Sequence, residues 1–267
     1  MKFSTVILGS ALAATALAAP LTAQRQARTE ARRLARAEGS QPPYKPNTQE
    51  VLQLNKTSHV EYSSNWAGAV LIGSGYTSVT GQFTVPTPKA PSGSSRGDYA
   101  ASAWVGIDGD TWGDAILQTG VDFTISNGEV SYDAWYEWYP DYAYDFSGIT
   151  ISAGDVIKVT VTAKSKSSGT ATVENVTTGK SVSHTFSGNV EGDLGELNAE
   201  WIVEDFEEND SLVNFANFGT VTFTDASATD SGSTVGPSGA TIIDIEQNGE
   251  VLTSASVSSD SVTVTYV

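Results

Sequence analysis

Four short runs place acids, amides and indoles where an ordinary strand would place aliphatic side chains. In Tyr132-Asp133-Ala134-Trp135-Tyr136-Glu137-Trp138-Tyr139, alternation puts Asp133, Trp135 and Glu137 on one face. Trp104 and Asp108 share a face in Ala103-Trp104-Val105-Gly106-Ile107-Asp108, and Gln118 and Asp122 do so in Ile116-Leu117-Gln118-Thr119-Gly120-Val121-Asp122. In Glu200-Trp201-Ile202-Val203-Glu204 the shared face carries Glu200, Ile202 and Glu204. One such stripe is an ordinary solvated strand face. Four together ask for a ligand, because large apolar surfaces are rarely left exposed without one. Gathered on one sheet they make an aromatic-walled, acidic groove for an extended polymer, peptide or glycan. Carboxylates there can take a proton from water, and an amide can donate to a developing negative oxygen at any pH.

Other chemistries lack their residues. The chain of 267 residues has no cysteine, which excludes a thiolate nucleophile, thiolate metal sites and disulfides. His59 and His184 are the only histidines, too few for a histidine-based zinc site or a Ser/His relay. No metal or cofactor is expected.

The elements that must position the groove are strands. From residue 60 onward the hydrophobic period is two, as in Val156 to Lys164 and Ser261 to Val267. The turn signals Gly73-Ser74-Gly75, Asn127-Gly128, Thr178-Gly179 and Asn248-Gly249 separate the runs. Many short antiparallel strands predict an all-β sandwich in one domain, residues 59–267. The most loop-like interior stretch, Pro86 to Gly97, is a candidate nick site around Arg96.

The N-terminal residues differ in kind. Lys2, the apolar run Phe3 to Leu17 and the small residues Ala16 and Ala18 read as a secretory signal peptide, residues 1–18. Residues 19–40 are basic and helix-forming, and Pro42, Pro43 and Pro46 mark a linker. Residues 1–58 hold eight of the 14 Lys and Arg but three of the 31 Asp and Glu, which leaves residues 59–267 with a net charge of −22. The segment 19–58 reads as a propeptide whose positive charge lies on the acidic domain and detaches as carboxylates protonate. The acidic domain excludes nucleic acid and anionic membrane as partners and suits work at low pH. A secreted, extracellular monomer is expected.

The residues leave three alternatives open. Asp230-Ser231-Gly232 is a lone Asp-Ser-Gly, whereas a pepsin-like aspartic peptidase needs two such loops sharing a proton. Paired carboxylates in a tryptophan-rich groove also suit a glycoside hydrolase or a lectin-like module, and fold does not separate these from a peptidase. Asp108-Gly109-Asp110 through Asp114 suggests calcium, but no later bidentate glutamate follows. The sequons at Asn175 and Asn209 fit secretion.

Five motifs carry a resemblance. Ser64-Asn65-Trp66-Ala67-Gly68, Ala103 to Gly109, Ile116 to Gly120, Tyr132 to Pro140 and Ala199 to Asp205 resemble those of the fungal glutamic peptidases, the pepstatin-insensitive acid peptidases or eqolisins. The resemblance runs from about residue 62 to the C-terminus. It implies a concanavalin A-like, jelly-roll sandwich and an endopeptidase acting on protein substrates in acid. The family's catalytic glutamine matches Gln118 and its glutamate matches Glu204, with Glu200 the competing acid. Trp66, Trp104, Asp108, Asp122, Asp133, Glu137 and Tyr139 match residues near the family's cleft and are expected to bind substrate or support the site. The resemblance also implies a propeptide acting as inhibitor or chaperone. Ala100, Trp112, Thr124 and Gly195 stand where such members often carry cysteines, so cross-links worth roughly 2–5 kcal/mol each are missing.

Overall fold

The two-residue alternation folds as strands in a computed structural model, which describes residues 39–46, 60–94, 97–208 and 211–267. The signal peptide, residues 19–38 and 47–58 of the expected propeptide, the Arg96 nick site and the Asn209 sequon lie outside the described residues. Among the described residues there is no helix.

Two large sheets form a sandwich. One is eight-stranded and runs Lys180–Ser187, Ser168–Asn175, Val156–Ser165, Tyr76–Thr84, Thr220–Asp230, Val262–Tyr266 and Thr253–Val257, with Ser233–Val235 added beside Thr220–Asp230. Its outer face is polar. Hydroxyl pairs such as Thr80–Thr160 (2.7 Å) and Thr222–Thr263 (3.1 Å) join neighbouring strands there. The other is nine-stranded: Glu250–Val251, Thr241–Gln247, Trp66–Ile72, Asn198–Glu204, Asp98–Ile107, Ile116–Ser126, Glu129–Tyr139 and Tyr144–Asp145. Val60–Ser63 joins it in parallel with Thr241–Gln247.

The expected turns form where their residues tolerate left-handed backbone. Asn127 (φ 50°) and Gly128 (φ 89°) link Ile116–Ser126 to Glu129–Tyr139, and Asn248 (φ 54°) and Gly249 (φ 81°) make a second such turn. Ser231 (φ 50°) and Gly232 (φ 85°) make a third, so the lone Asp-Ser-Gly is the turn of a hairpin.

The core lies between the sheets. Val105, Leu117, Val121, Trp201 and Val203 meet Val79, Phe83, Val159, Val161 and Phe223. The Trp201 indole reaches across to donate from Nε1 to the Thr80 carbonyl at 2.8 Å. The nine-stranded sheet is buried on its other face as well, where Trp66, Val70, Trp104, Ile116, Trp135 and Ile202 form a second cluster. Two-sided burial is what lets this sheet carry indoles and carboxyl groups on alternating positions.

The missing cross-links are replaced by packing. Ala100 pairs directly across from Thr124. Trp112 lies against Gly195, where an added Cβ would come within 2.7 Å of the indole. The sequon residue Asn175 is buried, and its side chain donates to Thr150 and Asp155 and accepts from Thr178. A glycan there is incompatible with this fold.

Candidate active site

Cross-strand register sets three rows on the outer face of the nine-stranded sheet. The first reads Val70, Glu200, Gly106, Gln118, Glu137. The second reads Gly68, Ile202, Trp104, Gly120, Trp135. The third reads Trp66, Glu204, Ser102, Asp122, Asp133. The four stripes read from the sequence thus meet on one face, with Gln118 and Glu204 on either side of the indole row.

Two glycines make this possible. A Cβ at Gly120 would stand 2.5 Å from the Trp104 Cβ and 2.4 Å from the Ala103 carbonyl oxygen. At Gly106 it would meet Glu200 Oε1 at 2.6 Å and the Trp104 ring at 2.8 Å. Any side chain at either place would push Trp104 off the sheet.

Glu204 is fully buried, and its two oxygens accept from two different parts of the chain. Trp104 Nε1 donates to Oε2 at 2.8 Å and Asn65 Nδ2 donates to Oε1 at 3.1 Å. Burial pushes this carboxyl well above the usual range and the nearby Glu137 adds to the rise, while Trp104, Asn65 and Trp66 oppose it. Glu200 is equally buried, but neither of its oxygens has a hydrogen-bond partner among the described residues. Burial raises it too, followed by the charges of Asp108 and Asp110, and no donor opposes them. Both carboxyls are therefore held above the usual range, but only Glu204 has donors that oppose the rise.

Gln118 is buried beside them. Its Nε2 donates to Glu137 Oε2 at 3.2 Å and to the Gln41 carbonyl at 2.9 Å. Its Oε1 is buried with no hydrogen-bond partner among the described residues. Trp66 stands edge-on to Trp104, with centroids 5.0 Å apart, and Tyr139 packs on the same aromatic cluster. Asp122 accepts from Ser102 Oγ at 2.7 Å and pairs across from Asp133, and Trp135 Nε1 donates to Ser102 Oγ at 3.1 Å.

Asp108 is placed differently. It lies one residue past its strand at φ 72°, and its carboxylate accepts from the backbone N–H groups of Glu196, Leu197 and Asn198 at 2.9, 2.7 and 3.2 Å. It pins the loop that leads into the Glu204 strand.

Asn65 and Ser102 contact the site residues and were not singled out from the sequence. Asn65 stands just before its strand, where alternation is silent; only its place in the Ser64-Asn65-Trp66 motif marks it. The third omission is a piece of the chain itself. Residues 40–45 run through the cleft, and Ser40 Oγ and the Gln41 N–H donate to Glu137 at 2.9 and 3.1 Å. The cleft is therefore filled, and an open pocket of about 660 Å³ lined by Tyr136, Trp138, Tyr144, His184 and Phe186 lies on the other side of the Glu129–Tyr139 strand.

Raised carboxyl groups recur around the site. Burial lifts Asp205 to about 7, against a hydrogen bond from Gln247 and with Glu207 adding to the rise. Burial, then Glu61, lifts Asp110 to about 6. Folding thus retains protons that the unfolded chain releases near pH 4, so stability is fullest below that value. It should fall as pH rises through about 6 and 7. Thermal melts from pH 3 to 8 should show a declining midpoint, with a shallower decline in Asp205→Asn. A midpoint that rises over this range contradicts the assignment.

Comparison with known proteins gives the family. The chain matches the Peptidase A4 family over residues 64–266. It is 67% identical over 283 aligned positions to aspergillopepsin-2 of Aspergillus niger, covering all of both chains. The crystal structure of scytalido-glutamic peptidase with a transition-state analogue inhibitor superposes with a TM-score of 0.71 at 48% identity, covering 76% of this chain and 98% of that one. That of aspergilloglutamic peptidase from Aspergillus niger superposes with a TM-score of 0.62 at 78% identity, covering 63% and 99%. With this cleft, its buried Gln118 and Glu204 and a family match across the whole sandwich, the chain belongs to the Peptidase A4 family of glutamic peptidases.

Proposed function

We propose that Glu204 and Gln118 carry out peptide hydrolysis in this acid endopeptidase, with Glu204 moving protons and Gln118 holding the oxyanion. Water attacks the scissile carbonyl carbon as Glu204 takes its proton. The carbonyl oxygen becomes negative and is met by Gln118 Nε2. The C–N bond then breaks and the protonated Glu204 returns its proton to the leaving amine. Trp104 and Asn65 position Glu204 and favour its ionised form; Glu137 positions Gln118. No metal or cofactor enters.

The observation that carries this reading is the 2.9 Å hydrogen bond from Gln118 Nε2 to a peptide carbonyl in the cleft. It supports extended polypeptide as the substrate, read mainly through its backbone. The signal-like N-terminus supports secretion, and the basic segment 19–58 supports a precursor that is processed to an enzyme of residues 59–267.

Acid-treated protein should digest casein or haemoglobin between pH 2 and 5, and pepstatin should leave the rate unchanged. Cleavage of polysaccharide but not of protein would favour the glycoside hydrolase reading instead, and pepstatin sensitivity would favour an aspartic mechanism.

A further inference from the structure

Residues 40–45 lie in the cleft in the manner of a bound substrate. The Gln41 N–H donates to the Glu137 carboxylate, and the Gln41 carbonyl accepts from Gln118 Nε2. One residue on, the Pro42 carbonyl accepts from Trp66 Nε1 at 3.1 Å and from Asn65 Nδ2 at 3.4 Å. The same Asn65 amide reaches the Pro43 carbonyl at 3.3 Å, and it also holds Glu204. Tyr44 N donates to the Gly109 carbonyl, Lys45 N donates to Asn65 Oδ1, and the Lys45 ammonium pairs with Glu207. Gly39–Ser40 forms a short strand with Glu207–Glu208. Gln41 and Pro42 are buried.

Most of these contacts are made to the backbone, which any extended peptide shares. They also fix a register. If Gln118 holds the carbonyl of the bond to be cut, that carbonyl is Gln41's and the bond is Gln41–Pro42. The inhibitory role itself is what the resemblance implies for the propeptide; we propose that residues 40–45 fill it in substrate register, with Gln41–Pro42 at the scissile position and Pro42 keeping that bond uncut. This rests on the assignment of Gln118 and Glu204 above.

Proline explains the resistance. Its nitrogen is tertiary, flanked by Cα and Cδ of the ring, and φ is locked. The leaving nitrogen must accept a proton from Glu204 past that ring, with no rotation available to expose it. The Pro42-Pro43 pair also stiffens an extended run before it binds, which lowers the ordering cost. Hydrolysis at this bond needs only water: it would leave a carboxyl group on Gln41 and an amine on residue 42. The geometry assigns subsites as well. Glu137 receives the N–H of the residue before the cut, and Trp66 and Asn65 receive the carbonyl of the residue after it.

The test uses acid-processed enzyme, with casein digestion as the control for peptidase activity, and synthetic peptides spanning residues 38–47. The native-sequence peptide should inhibit casein digestion competitively and be recovered intact. The Pro42→Ala peptide should be cut between positions 41 and 42, roughly 100-fold faster or more, the factor that a misplaced reacting geometry costs. Full-length Pro42→Ala chain, acidified and examined by mass spectrometry, should show new termini at the same bond. A Pro42→Ala peptide that stays intact, or is cut elsewhere, overturns the register. A native peptide that fails to inhibit at millimolar concentration while casein is digested overturns the inhibitor. If casein itself is untouched, the catalytic assignment has failed and the proposal falls with it.

Discussion

Glu204→Gln should fold and yet lose roughly 100- to 10,000-fold of kcat, the contribution of a positioned general acid–base group. The replacement has the same shape, so the packing around Trp104 and Trp66 is kept. It cannot take a proton from water. It also turns one acceptor into a donor, while both existing partners, Trp104 Nε1 and Asn65 Nδ2, are donors. One of these pairs must break, so a modest drop in melting temperature should accompany the kinetic loss. Glu200→Gln is the matched control. Glu200 is as buried and shares the same face, but among the described residues it has no donor to stabilise a charge. Its replacement should change kcat by no more than a few-fold. Retention of most activity in Glu204→Gln, or a larger loss in Glu200→Gln, would reassign the base.

The raised Glu204 carboxyl bears on the same result. Its leading cause is burial, and residues 40–45 cover the cleft in this structure. When they leave, water enters and part of that cause is removed, while the Trp104 and Asn65 donors remain. The pH profile of kcat/KM should therefore show an acid limb belonging to Glu204 in the open cleft.

Gln118→Leu should lower kcat by roughly 100- to 1,000-fold, the usual cost of removing one preorganised oxyanion donor. Substrate binding should suffer less, because Trp66, Asn65 and Glu137 still hold the backbone on either side of the bond. The expected signature is a fall in kcat with KM within a few-fold of the parent, and an unshifted pH profile, since an amide does not titrate. A rise in KM with kcat intact would make Gln118 a binding residue and leave the oxyanion to another donor.

Much of the site was readable because strands alternate. Once residues 60 onward are strands, Asp133, Trp135 and Glu137 must share a face, as must Glu200 and Glu204. The Asn127-Gly128 and Asn248-Gly249 turns were equally legible, since both positions need positive φ and these residues supply it cheaply. Motif resemblance named Gln118 and Glu204. Asp108 was harder: alternation stops at the end of its strand, and its carboxylate turned out to serve the amides of Glu196, Leu197 and Asn198.

By itself, then, the sequence determined the strand period, the faces, the turns and the chemical types available to the cleft, because these depend on neighbours along the chain. Only tertiary structure decided which strands adjoin. Asn198–Glu204 inserts between Trp66–Ile72 and Asp98–Ile107, and that order delivers Asn65 and Trp104 to Glu204 and leaves Glu200 without a donor among the described residues. It also decided that a proline-rich stretch readable as a linker fills the cleft, with one carbonyl set against Gln118. Hydrogen bonds between residues far apart in sequence choose the partners of a buried acid, and no local pattern records them.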